Sequence, residues 1–196
     1  MIVHDCEQRS EEWFELRRGK LTASHFADVI NKKSGRETYM MRLLAERVTG
    51  ITQDTYQNEY MKDGTEREPE ARSEYAWLKG VTVKQVGFVQ NSEDVGCSPD
   101  GLVGNDGLIE IKCPKLTTHL SYILKGVLPT TYRAQVQGQM WVCERQWCDF
   151  ISYHEDYKKQ PLFIVRVDRD EAYLKTLAAA TATFIQELTE MEGKLT

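Results

Sequence analysis

The chain has 196 residues, 41% of them hydrophobic and 28% charged, and a formal net charge of −5, the balance of a globular domain with a sizeable core. No run of 18 apolar residues could cross a membrane, and Met1-Ile2-Val3-His4-Asp5 lacks the basic start and apolar run of a signal peptide. We therefore expect a cytoplasmic protein with one domain over residues 1–196. Five cysteines without C-x-x-C spacing and four scattered histidines without H-E-x-x-H argue against a disulfide framework and a zinc hydrolase.

In chain order, Ser10 reads as the N-cap of a helix running to about Arg18, with Glu11 and Glu12 in its first turn and Gly19 at its end. Thr22 or Ser24 can cap a second helix through Ile30. A basic loop, Lys32-Lys33-Ser34-Gly35-Arg36, precedes a helix over Tyr39–Val48 that stops at Gly50. Residues 65–79 predict a fourth helix, with Pro69 in its early part and Gly80 as its stop. The pattern then changes to strands: Val81 to Val89, Val95 to Val103 and Gly107 to Cys113, the last two joined through Gly104-Asn105-Asp106-Gly107, a hairpin signal. Thr118–Lys125 and Thr131–Glu144 are helical in pattern. Phe150–Tyr153 and Leu162–Val167 read as strands, and Asp168–Met191 as a closing amphipathic helix. The fold class expected is α/β, of α+β-like type, with a mixed central sheet flanked by helices. Trp13, Trp77, Trp141 and Trp147 are read as core residues, and His119 and His154 as structural or surface residues.

The chemistry concentrates at Ser98-Pro99-Asp100-Gly101 and Glu110-Ile111-Lys112-Cys113-Pro114. Alternate side chains of a strand share a face, so Glu110 and Lys112 point one way while Ile109 and Ile111 enter the core. The hairpin can bring Asp100 beside Glu110. Two carboxylates about 4 Å apart repel by roughly 4 kcal/mol at an effective dielectric of 20. A bound Mg²⁺ or Mn²⁺ removes that penalty, and Lys112 can neutralise charge that develops on a phosphoryl group. This is the P-D-x(n)-E-x-K arrangement of metal-dependent nucleases. The bland alternative is two strands joined by a polar turn. Charge placement agrees with the first reading. Residues 17–47 carry Arg17, Arg18, Lys20, Lys32, Lys33, Arg36, Arg42 and Arg47 against Asp28, Glu37 and Glu46. That is compatible with a locally basic surface that grips a phosphate backbone, and a solvated mixed-charge surface would give a similar count.

Five motifs extend the match. They are Leu16-Arg17-Arg18-Gly19 with Thr22-Ala23-Ser24; Gly64 through Glu68 to Ala71-Arg72; the two segments around Asp100 and Glu110; and Tyr132-Arg133-Ala134-Gln135-Val136-Gln137 with Met140-Trp141. Together they resemble the lambda-type phage exonucleases, the viral alkaline exonuclease group of the PD-(D/E)xK superfamily. The resemblance implies a restriction-endonuclease-like core and a Mg²⁺-dependent 5′-to-3′ exonuclease on linear double-stranded DNA. Such an enzyme prefers 5′-phosphorylated ends, releases 5′-mononucleotides and leaves 3′ overhangs. It also implies a homotrimer ring, a single-strand annealing protein as partner in phage recombination, and a phage or prophage source acting in a bacterial host cell.

By the same resemblance Asp100, Glu110, the Ile111 carbonyl and Glu68 would hold two ions about 4 Å apart. Lys112 would activate water, and Tyr132 and Gln135 would support it. Arg17, Ser24 and Ser98 would hold the 5′-phosphate, Lys33 would reach the DNA, and Met61 would stand where an apolar wedge parts the terminal base pair. Thr65 departs from a basic residue there. Taken alone, Glu68 could belong to a solvated acidic face with Glu66, Glu70 and Glu74, Ser24 could be a helix-start residue, and Gln135 and Gln137 could be polar faces of an amphipathic helix. The alternatives for the whole chain are a structure-specific or restriction-type endonuclease using the same site, and a non-catalytic DNA-end-binding recruitment module.

Overall fold

In chain order the elements are β1 (Ile2–His4), α1 (Glu11–Arg17), β2 (Leu21–Thr22), a 3₁₀ turn at Ala23–His25, α2 (Phe26–Asn31), α3 (Ser34–Thr49), α4 (Glu59–Lys79), β3 (Val83–Lys84), β4 (Phe88–Gln90), β5 (Val95–Cys97), β6 (Gly101–Val103), β7 (Gly107–Lys112), α5 (Leu116–Lys125), a 3₁₀ turn at Thr130–Tyr132, α6 (Arg133–Val142), β8 (Trp147–Tyr153), β9 (Leu162–Asp168) and α7 (Glu171–Glu192). The structure, a computed structural model, describes residues 1–31, 34–53 and 59–195, with residue 34 and residues 59–65 described by their backbone alone. Among the described residues no helix is long and apolar enough to cross a membrane.

The strands form a five-stranded sheet, β3-β6-β7-β8-β9, and a four-stranded one, β1-β4-β5-β2. The larger sheet is the expected mixed one: β7 and β8 are parallel, while its other neighbours run antiparallel. Parallel strands need a long crossover, and α5 and α6 supply it between β7 and β8. Strand β7 has both faces covered. Leu108 belongs to the larger core with Phe26, Leu43, Met140, Phe150 and Phe184, from helices α2, α3 and α6, strand β8 and helix α7. Ile109 and Ile111 turn the other way, onto Ala71 and Tyr75 of α4 and onto Ile151 and Tyr153 of β8. Each such aliphatic side chain contributes about 1.5–3 kcal/mol on burial.

Several expectations are corrected. Val95–Val103 is not one strand. It breaks at Ser98–Asp100 into β5 and β6, which lie in different sheets, because Pro99 has no N–H to give a ladder. Val81–Val89 likewise divides into β3 and β4. The chain changes sheets at Gly87, where Cys6 packs so closely that a side chain would collide with it. β1 and β2 carry no alternation signal, being three and two residues long. Helix α3 begins at Ser34, inside the expected basic loop, and α4 begins at Glu59. Pro69 is therefore internal to α4 rather than in its first turn. Asp168 ends β9, and Asp170 caps α7 by accepting from the Tyr173 N–H at 3.0 Å. Trp77 is not core but 85% exposed. Ala71 and Tyr75 take the buried face of α4, and two residues beyond Tyr75 a helix faces away. His119 and His154 are both buried, and His119 is bonded to Ser152 and to the Gln160 carbonyl, a structural placement.

Candidate active site

The turn before β6 is pinned from three sides. Oδ2 of Asp100 accepts from the Ile111 N–H at 2.6 Å. Nε of Arg72 donates to the Asp100 carbonyl at 2.8 Å, and the Gln8 amide donates to the Pro99 carbonyl at 3.0 Å. The antiparallel register sets Gly101 opposite Ile109, which leaves Asp100 level with Glu110. The hairpin juxtaposition expected from the sequence is thus present. Its anchor is the Ile111 N–H, while the part assigned to the Ile111 carbonyl stays with the resemblance.

Glu110 is 2% exposed and receives three donors. Lys112 Nζ lies 2.5 Å from its Oε1, and Gln135 Nε2 lies 2.6 Å from the same atom. Gln139 Nε2 donates to Oε2 at 2.7 Å. Gln135 and Gln139 stand four apart on α6, hence on one face and one turn apart. Gln139 was not singled out from the sequence, although that i, i+4 spacing is a legible signal. Gln137 points elsewhere: its amide donates to the Asp168 carbonyl at 2.8 Å and accepts from the Asp170 N–H at 2.9 Å, tying α6 to the start of α7. Tyr132 sits in the 3₁₀ turn before α6 rather than on the helix itself, with its ring 5.4 Å from Lys112 Nζ and packed on Phe150.

Charge is crowded here. Burial, and then the neighbouring Glu110 and Glu68 carboxylates, push the Asp100 pKa well above the usual range. Burial also raises Glu68, against the pull of Arg9 and Lys112. For Lys112, burial acts to lower the pKa, but Glu110 and Asp100 outweigh it and the net shift is upward. Glu68 therefore faces the site electrostatically and is half-buried, whereas Glu66 and Glu70 are exposed. Among the described residues no three His, Cys, Asp or Glu side chains form a ready metal cage. The oxygens of Glu110 are turned instead to Lys112 and two amides. The donor chemistry, hard oxygens of one buried and two half-buried carboxylates whose charges repel, nevertheless suits a hard divalent cation, which would relieve that repulsion.

Next to the carboxylates lies a second grouping. Ser98 Oγ, two residues before Asp100, accepts from Arg17 at 3.2 Å and from the Trp13 indole at 2.8 Å. The Arg17 guanidinium stacks 4.1 Å above the Trp13 ring. Burial pulls the Arg17 pKa down, as expected where water is scarce around a cation. Trp13 is thus a half-buried scaffold for Arg17 and Ser98, a role the core assignment missed. Ser24 is exposed and lies 3.3 Å from Thr22 Oγ1, with no direct bond to Arg17 or Ser98 among the described contacts. Lys33 lies outside the described residues, and Met61 is described by backbone only, within α4.

The chain resembles known proteins in sequence and in fold. The model of the YqaJ-like viral recombinase domain matches residues 12–146. The crystal structure of an alkaline exonuclease from Laribacter hongkongensis is similar at 41% identity and a TM-score of 0.90, covering 95% of this chain and 96% of that one. The same protein in complex with dAMP gives a TM-score of 0.91. A phage-related exonuclease from Haemophilus somnus shares the fold at a TM-score of 0.69 and 15% identity, over 90% of this chain and 96% of that one. An uncharacterized protein of Acanthamoeba polyphaga mimivirus is 29% identical over 164 residues, and the aligned part spans 76% of this chain but 29% of that protein's length.

Proposed function

The chain belongs to the YqaJ-like viral recombinase family, and we propose that it is a metal-dependent deoxyribonuclease that digests linear double-stranded DNA from the 5′ end. It would release 5′-mononucleotides and leave 3′ overhangs for recombination by strand annealing. The observation that carries this reading is the Asp100–Glu110–Lys112 grouping, built around the buried Glu110 carboxylate, with the Arg17–Ser98 contact two residues away from Asp100. One half suits phosphodiester hydrolysis. The other places a cation beside it that suits a terminal phosphate. The 41% identity to an alkaline exonuclease over nearly the whole chain supports the same reading.

Asp100, Glu110 and Glu68, with the Ile111 carbonyl, are the groups that would hold Mg²⁺, two ions in the fullest form, with Mn²⁺ as a substitute. The bound metal would supply Lewis-acid stabilisation at the phosphoryl oxygens and acidify the attacking water. Lys112 keeps a positive charge against Glu110 where phosphoryl charge gathers. Gln135 and Gln139 fix the Glu110 carboxylate from both oxygens, and Tyr132 backs Lys112. Arg17 offers a fork of N–H donors to phosphate oxygens, with Ser98 and Ser24 as hydroxyl partners. Lys33 and Met61 would meet the duplex beyond the end. A single nuclease domain, a homotrimer ring around DNA and a single-strand annealing partner complete the proposal.

The test is digestion of linear duplex labelled at either end, with and without Mg²⁺, beside covalently closed circular duplex. Mg²⁺-dependent mononucleotide release from 5′ ends, with the circle intact, supports the reading. Nicking of the circle would make the protein an endonuclease using the same site. End binding with no digestion under any divalent metal would make it a recruitment module.

A further inference from the structure

A second guanidinium shares the cleft of Arg17. The cleft measures about 80 Å³, and Arg17, Arg18, Lys20, Thr22 and Arg42 line it, with Glu46 as its acid. That is far below the roughly 300–1,000 Å³ of a pocket for a drug-sized molecule, so its natural occupant is one small group. Glu46 forms no ion pair with the cations among the described residues: its oxygens accept from the Gly19 N–H at 2.8 Å and the Gln53 N–H at 3.2 Å. Arg18 is turned to Thr52 and Glu15. Arg42 and Arg17 have no carboxylate at ion-pair distance among the described residues.

Arg42 is nonetheless held in place. Its guanidinium lies 4.8 Å from the centre of the Tyr39 ring, and its NH2 group is 3.4 Å from His25 Nε2. His25 Nδ1 lies 3.0 Å from Asp28, which occupies that nitrogen's proton and leaves Nε2 to face Arg42. The His25 and Tyr39 rings stack at 3.8 Å, and Tyr39 is locked by bonds to the Thr22 N–H and the Lys20 carbonyl. Yet the Arg42 Nε is buried with no hydrogen-bond partner among the described residues. Two positioned cations, close enough for Arg42 to depress the pKa of Arg17, share a cleft with an unused buried donor. An anion would satisfy all three features.

We propose that Arg42 is a specificity-determining residue that grips, together with Arg17, the 5′-terminal phosphate of a DNA end in this cleft. The inference rests on the exonuclease reading above. A terminal phosphate carries close to two negative charges at neutral pH, an internal phosphodiester one, so a pair of guanidiniums favours the end.

The experiment compares digestion of 5′-phosphorylated and 5′-hydroxyl duplexes by the wild type, Arg42→Gln and Arg42→Lys. In parallel, thermal unfolding is followed against inorganic phosphate, without DNA or metal. The phosphate-to-hydroxyl rate ratio should fall roughly tenfold or more in Arg42→Gln, the scale of a charge-assisted hydrogen bond. Arg42→Lys, which keeps the charge and loses the fork, should fall between. Phosphate should raise the wild-type Tm saturably and raise that of Arg42→Gln less. A wild-type ratio and a wild-type phosphate response in Arg42→Gln would overturn the proposal, as would equal slowing on both ends, which would make Arg42 an internal-phosphate contact. Should Arg42→Gln fail to fold, Arg42→Lys decides: a reduced ratio supports the proposal and an unchanged one overturns it. A wild type that digests neither duplex sinks the exonuclease reading, while the phosphate titration still tests Arg42.

Discussion

Gln139 donates to Oε2 of Glu110 at 2.7 Å, from one turn beyond Gln135, which holds the other oxygen. A buried carboxylate is thereby fixed in rotation by two amides of a single helix. Gln139→Leu removes one of them while filling similar volume. We expect activity to fall by about 10–100-fold, the range for a residue that orients a ligand, and the metal concentration for half-maximal activity to rise. The check is digestion rate across a metal titration. An unchanged metal midpoint would sink the idea.

Asp100 is forced toward its neutral form by burial and by the carboxylates around it. An acid whose pKa is raised on folding favours the folded state below its unfolded pKa, about 4, and loses that contribution as pH rises through the folded value. Metal-free protein should therefore lose stability as pH climbs above the usual carboxylate range. Asp100→Asn should raise the Tm at pH 8 in chelator and abolish digestion. Thermal unfolding from pH 4 to 8 measures this, and a lower Tm for Asp100→Asn would contradict it.

Lys112→Ala should abolish digestion of linear duplex while leaving DNA binding. The ammonium touches the site through one carboxylate, and its loss leaves Glu110 with both amide donors. Parallel gel-shift and digestion assays decide this. Digestion at the wild-type rate would falsify the active-site assignment.

Arg17→Ala should weaken the preference for 5′-phosphorylated over 5′-hydroxyl ends by roughly tenfold or more. The guanidinium is stacked on Trp13 and bonded to Ser98, so its geometry is preset. Equal slowing on both ends would remove Arg17 from phosphate recognition.

Gly138→Ala tests whether the placement of α6 matters to the site. A Cβ at Gly138 would run into the Phe26 ring. Such overpacking costs typically about 1–3 kcal/mol, and a displaced α6 would carry Gln135 and Gln139 off Glu110. We expect lower Tm and lower activity together. Phe26→Leu added to Gly138→Ala should recover part of both, measured as a double-mutant cycle; strict additivity would mean the two do not collide.

Most helices and strands β7, β8 and β9 of the larger sheet were legible because hydrophobic period and caps are local. Ser10, which accepts from the Trp13 N–H at 3.2 Å, and Gly80, left-handed just past the end of α4, start and stop elements where their chemistry says they should. The failures fall where neighbours decide. β2 is two residues long and exists through parallel pairing with β5, from a distant part of the chain. Trp77 is apolar in sequence, yet the buried face of α4 was claimed by Ala71 and Tyr75.

Strand alternation and a tight hairpin already point Asp100, Glu110 and Lys112 toward one another in the sequence, because both are local patterns. The sequence by itself also determined the helical spacing of Gln135 and Gln139. Which groups those side chains serve is set by long-range packing. That Gln139 reaches Glu110 while Gln137 turns to the Asp168 carbonyl follows from how α6 packs through Gly138 on Phe26. That Arg17 meets Ser98 across 81 positions of sequence, and shares a cleft with Arg42, follows from α1 lying on the turn between β5 and β6. Contacts at such separation depend on loop closure and packing, for which a local pattern carries no record.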